Sequence, residues 1–153
     1  MAGNLARTTT EIRYTIPSRI PHIPFADIAR HILSERYVLS LVVCGDALAR
    51  RINRTYSLPA PKLPPARGAR AGRQAGKKNY SPNVLSFPLG EYEGEIFLNV
   101  RCAEREAKVA KIDTRARVAH LFVHACLHLR GFKHGAKMEA DERKILKRFG
   151  IKI

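Results

Sequence analysis

The sequence predicts an α+β protein in which about four strand segments and five helical segments alternate along one chain. Three observations lead there. Short β-branched runs such as EIRYTI (11–16) and GEIFLNV (94–100) have strand length. A longer stretch carries Val118, Leu121, Phe122, Ala125 and Leu129 at the i, i+3, i+4, i+7, i+11 spacing of one helix face. Gly, Pro, Asn and Asp punctuate the intervals between such segments. With 153 residues, 45% of them hydrophobic, the chain is long enough for one domain with a real core.

In order, residues 11–16 read as a first strand, after which Pro17 and Pro21 delay the next element. A helix is expected over about 25–35 and a β-branched second strand over 37–43. Asp46 is placed to cap a short helix ending near Asn53. Residues 57–82 have a different texture, rich in Pro, Gly and Ala, with Lys62, Arg67, Arg70, Arg73, Lys77 and Lys78 and no acid, so they read as a basic, flexible insertion with too few large apolar residues for a core. Strands follow at 83–89 and 94–100, close enough for a hairpin. Helices are expected over 103–111, over 114–129 with Asp113 and Thr114 at its start, and over 138–149, where Gly150 ends it.

A net charge of +15 favours a polyanionic partner, RNA or DNA before anionic lipid, because no basic amphipathic helix with aromatic anchors is apparent. No apolar run approaches the roughly 20 residues that span a bilayer, and no secretory signal is visible, so a cytoplasmic protein is expected. Cys44, Cys102 and Cys126 are odd in number and lack CxxC spacing, which argues for reduced thiols. No obligate protein partner is indicated.

The stretch HACLHLRGFKH (124–134) holds three of the six histidines. At 3.6 residues per turn His124 and His128 project from one side of a helix, and Gly131 can end that helix so that the chain folds back with His134. Three imidazoles with an open fourth position are the pattern of catalytic zinc, whose bound water is acidified. The spacing is shared with zinc-protease helices, but Ala125 stands where those carry a glutamate base, so peptidase chemistry is disfavoured. His120 drifts around the helix from His128 and is expected to support the site or touch substrate without binding the ion. Cys126 should face away.

HLFVHACLHLRGFKH resembles the signature of the YbeY family of metal-dependent endoribonucleases, and INRTY (52–56), NVLSFP (83–88), GEIFLN (94–99) and MEADERKIL (138–146) resemble its other blocks in the same order. The resemblance implies a small mixed sheet packed against helices, with the site on the long helix of the C-terminal half. It implies one divalent ion, zinc foremost, on His124, His128 and His134, the residues through which catalysis would run. It also implies cleavage of single-stranded RNA in ribosomal RNA 3′-end maturation and in ribosome quality control, with the small ribosomal subunit as partner. Asn83 and Ser86 are candidate RNA contacts, as is His120.

Two departures matter. Ser57 takes the place of an arginine that usually follows the NxxY block, and Arg73, Lys77 or Lys78 of the insertion are candidates to restore that charge against RNA. Lys133 takes the place of an acid before the last histidine. A non-catalytic, metal-stapled RNA- or ribosome-binding protein is the alternative reading.

Overall fold

A computed structural model describes residues 7–17, 20, 22–56 and 81–153. The insertion other than Ser81 and Pro82, and with it Ser57, Arg73, Lys77 and Lys78, lies outside the described residues. The element order is β1 (Thr9–Tyr14), α1 (Phe25–Ile32), β2 (Val38–Cys44), α2 (Asp46–Tyr56), β3 (Val84–Gly90), β4 (Glu93–Asn99), α3 (Val100–Ala110), α4 (Thr114–Leu129) and α5 (Ala136–Arg148). The α+β class expected from the sequence is therefore observed.

The four strands form one mixed sheet in the order β1-β2-β4-β3. β2 pairs in parallel with β1 and with β4, and β3 and β4 form the antiparallel hairpin. Alternation along the central strands splits their side chains between two cores. Leu39, Leu41, Val43, Ile96 and Leu98 face a large core built with α1, α4 and α5. Val42, Cys44 and Phe97 face the opposite side, which Ala49 of α2 covers, with Leu48 and Ile52 packed alongside. Burial pushes the Cys44 thiol up to about 11, the nearby Asp46 charge adding to it, and all three cysteines are free thiols. No helix among the described residues is long and apolar enough to cross a membrane.

Several boundaries differ from the sequence reading. β1 begins at Thr9, two residues early, because its parallel register starts with Thr9 opposite Val38. α1 stops at Ile32, where Leu33 is already extended, and Arg36 then adopts a positive φ of 71°. Asp46 is the first residue of α2, and its carboxylate turns to the sheet and α3: Asn99 Nδ2 donates to it at 2.9 Å, and two Arg105 nitrogens at 2.8 Å each. The Arg105 hydrogen bonds are the main reason its pKa falls to about 2. Asn99, fully buried, also caps α3 by accepting from the Cys102 backbone N–H at 3.2 Å, which starts that helix at Val100, earlier than its apolar spacing suggests.

α4 matches its expected bounds, with Asp113 accepting from Arg115 N–H at its start. It is buried on more than one stripe: Ala119, Val123, Cys126 and Leu127 are covered as well as Val118, Leu121, Phe122 and Ala125, while Leu129 is only half-buried. The reason is that α4 is sandwiched, with the sheet on one side and α1, α3 and α5 around it. Gly94 of β4 lets α4 approach: a Cβ there would overlap the Tyr37 hydroxyl and sit 3.0 and 3.1 Å from the Leu129 methyls. Gly94→Ala is expected to cost about 1–3 kcal/mol. The check is denaturant unfolding, with a lower midpoint at unchanged slope.

Candidate metal centre

The site is assembled by the end of α4 and the turn after it. Arg130 ends the helix and Gly131 takes a positive φ of 99°, so Gly131 N–H donates to His128 O at 2.9 Å and Phe132 N–H to Leu127 O at 3.0 Å. This glycine-centred helix stop reverses the chain. It has two results. The Phe132 carbonyl comes to 3.0 Å from His128 Nδ1, and His134 returns to the two helical histidines. The ring centroids of His124, His128 and His134 lie 4.4–4.9 Å apart, and one ring nitrogen from each falls within 4.8 Å of the others.

The nitrogens are set by their outer partners. His124 Nδ1–H donates to Glu142 Oε1 at 2.6 Å, since an ionised carboxylate can only accept, and His128 Nδ1–H donates to the Phe132 carbonyl. In the neutral rings both Nε2 atoms are then bare lone pairs, and they face each other at 3.0 Å. Two lone pairs at that distance repel unless a cation lies between them. Two nitrogens on one zinc, at 2.0–2.1 Å in tetrahedral geometry, would stand about 3.3 Å apart. The donor set thus fits a divalent ion, and imidazoles braced by a carboxylate and a carbonyl match how metal-binding histidines are oriented. Burial, then the neighbouring His124, holds His128 below the usual imidazole range, which keeps its ring neutral and able to ligate.

Glu142, on α5 and buried, is the residue that sequence reasoning did not single out. It also accepts from His120 Nε2 at 2.7 Å. Burial raises its pKa, but the hydrogen bonds and charges of His124 and His120 outweigh that, and the carboxyl ends below its ordinary range. The signal was present: Glu142 sits on the helix face of Met138, Ile145 and Leu146, an acid on a buried stripe.

The chain of polar contacts continues outward. Arg117 Nη1 lies 3.5 Å from His120 Nδ1, Arg117 Nε donates to Glu106 Oε2 at 2.7 Å, and Asn83 Nδ2 donates to Glu106 Oε1 at 3.0 Å. Asn83 and His120 are therefore linked to the trio through Glu106, Arg117 and Glu142. His120 is not among the three whose nitrogens converge. Ser86 occupies β3 opposite Ile96, on the same strand face as Val84, which packs on the core of α4. Among the described residues no hydrogen bond joins it to this network.

A mixed sheet backing a helix with two histidines one turn apart, and a third beyond a glycine stop, defines a class: α+β proteins with a three-histidine site able to hold a metal. Comparison with known proteins narrows it. The model of the endoribonuclease YbeY family matches residues 68–150, and the chain belongs to that family. It is 41% identical over 111 residues to the endoribonuclease YbeY of Aromatoleum aromaticum, covering 71% of this chain and 60% of that one. The Methylocella silvestris protein of the same name is 36% identical over 124 residues, covering 74% and 60%. The one from Chromobacterium violaceum is 32% identical over 122 residues, covering 74% and 61%. The matched part thus spans about three fifths of these relatives. The fold is similar to the solution structure of TM1509 from Thermotoga maritima, with a TM-score of 0.55 at 16% identity, covering 91% of this chain and 89% of that one.

Proposed function

We propose that the chain is a single-domain, single-strand-specific, metal-dependent endoribonuclease acting in ribosomal RNA 3′-end maturation and ribosome quality control, with His124, His128 and His134 holding one zinc ion. The observation that carries this reading is the pair of Nε2 lone pairs, aimed at each other at 3.0 Å with both Nδ1 protons engaged elsewhere. A divalent ion bound there supplies charge to stabilise a phosphoryl oxygen and to acidify water. Glu142 orients His124 and His120, and the Phe132 carbonyl orients His128. The net charge of +15 draws an RNA backbone to the molecule. Asn83, Ser86 and His120 border the strand's path, and Arg73, Lys77 or Lys78 supplies the cation in place of the arginine absent at Ser57.

The test is cleavage of a labelled single-stranded RNA spanning a ribosomal 3′ end, beside the same sequence in duplex form. Cutting of the single strand alone, abolished by a chelator and restored by added ion, is the expected result. RNA bound with a steep salt dependence and left intact would instead identify a ribosome-binding protein in which the ion staples α4 to the following loop.

A further inference from the structure

The C-terminal ends of α1 and α4 and the β3–β4 turn border a half-open cavity of about 430 Å³, lined by His31, Ser34, Tyr37, Glu91, Tyr92 and Arg130 among others. That is within the size range of small-ligand sites. Its electrostatics are unusual. Among the described residues neither Arg130 nor Arg148 lies within ion-pair distance of an acid. Burial first, then the charges of Arg148 and Arg130, hold the His31 imidazole below its ordinary range, so two guanidiniums bear on this imidazole, while Glu91 is the acid of the lining. A bound anion would relieve that repulsion.

The remaining lining has the complementary chemistry. Tyr92, 47% exposed at the hairpin turn, offers a ring on which a base can stack. Ser34 supplies a hydroxyl donor, and the Glu91 carboxylate can accept from ribose hydroxyls. Arg130 links the cavity to the turn that braces His128. Arg130 lies over the Phe132 ring, 5.7 Å from its centroid, and the Phe132 carbonyl is the partner of His128 Nδ1.

We propose that this cavity holds one nucleotide of the RNA strand, its phosphate on Arg130 and His31 and its base against Tyr92, beside the position that faces the histidine trio. That the nucleotide belongs to a strand being cut rests on the ribonuclease reading. The cavity's affinity for a nucleotide does not.

The experiment titrates the full chain with adenosine 5′-monophosphate, adenosine and inorganic phosphate in turn, following backbone amide signals by NMR, and repeats the nucleotide titration on His124→Ala. The monophosphate should shift Ser34, Tyr92 and Arg130 and bind about tenfold more tightly than adenosine or phosphate. Arg130→Gln and Tyr92→Ala should each weaken it about tenfold while the other signals stay in place, the size expected for a charged hydrogen bond or a stacked base. His124→Ala should leave binding unchanged. The proposal is overturned if the lining signals do not move at millimolar nucleotide, if adenosine or phosphate alone binds as well, if both pocket variants bind normally, or if His124→Ala abolishes binding. A chain that binds the nucleotide here yet never cuts RNA keeps this site and loses the ribonuclease reading, so the two failures are separable.

Discussion

His124→Ala is expected, on the ribonuclease reading, to reduce RNA cleavage to background while leaving the fold and most of the RNA affinity in place. The substitution removes one of the two nitrogens that face each other at 3.0 Å and leaves His128 and His134 to hold an ion alone. Loss of an outer partner of a metal ligand already costs about 10–100-fold in affinity, and loss of the ligand itself should exceed that. His124 is only partly buried, so truncation opens no large apolar cavity. On the proposed reading, RNA binding draws on the +15 charge, which the change does not touch. The measurement pairs metal content per chain, after dialysis against a weak chelator, with cleavage of labelled single-stranded RNA and a circular dichroism spectrum. A folded variant that keeps both its ion and its cleavage would remove the histidine trio from the mechanism.

Glu142→Gln is expected to lower metal affinity about 10–100-fold with the three histidines still present. The native carboxylate accepts at 2.6 Å from His124 and at 2.7 Å from His120. A glutamine amide has one oxygen and one NH2 group, so it can accept from one ring but must turn a donor toward the other. The unmatched ring then rotates or changes tautomer, and if that ring is His124 its Nε2 is no longer reserved for the ion. Glu142→Ala should go further, because it leaves both ring N–H groups beside an apolar space and also destabilises the chain by about 1–3 kcal/mol. Competition titration with a chromophoric chelator gives the affinity, and denaturant unfolding of the chelated protein gives the stability. If the Gln variant bound metal as tightly as the parent, Glu142 would be a structural acid only.

The convergence of His124, His128 and His134 could be anticipated from eleven consecutive residues, because helix periodicity and a glycine stop are local properties. The same holds for α4, whose Asp113 cap and Gly131 stop both lie in its own flanks, and for the hairpin of β3 and β4. Elements whose ends depend on distant partners were read less well. α3 starts at Val100 because Asn99 is held between Asp46 and the Cys102 backbone, and Asp46 left its capping role for Asn99 and Arg105. Local spacing contains no trace of those contacts.

The sequence by itself determined the class of fold, the three converging imidazoles and the positive field that suits RNA. Only the tertiary structure decided which nitrogen of each helical ring is bare, because that depends on Glu142 from another helix and on where the turn sets the Phe132 carbonyl. It likewise brought Glu106 and Arg117 between Asn83 and His120, and gathered His31, Tyr92 and Arg130 around one cavity. The physical reason is the same throughout. Backbone hydrogen bonding and apolar periodicity act within a few residues, whereas a buried charge finds its partner wherever packing of the sheet and helices delivers one.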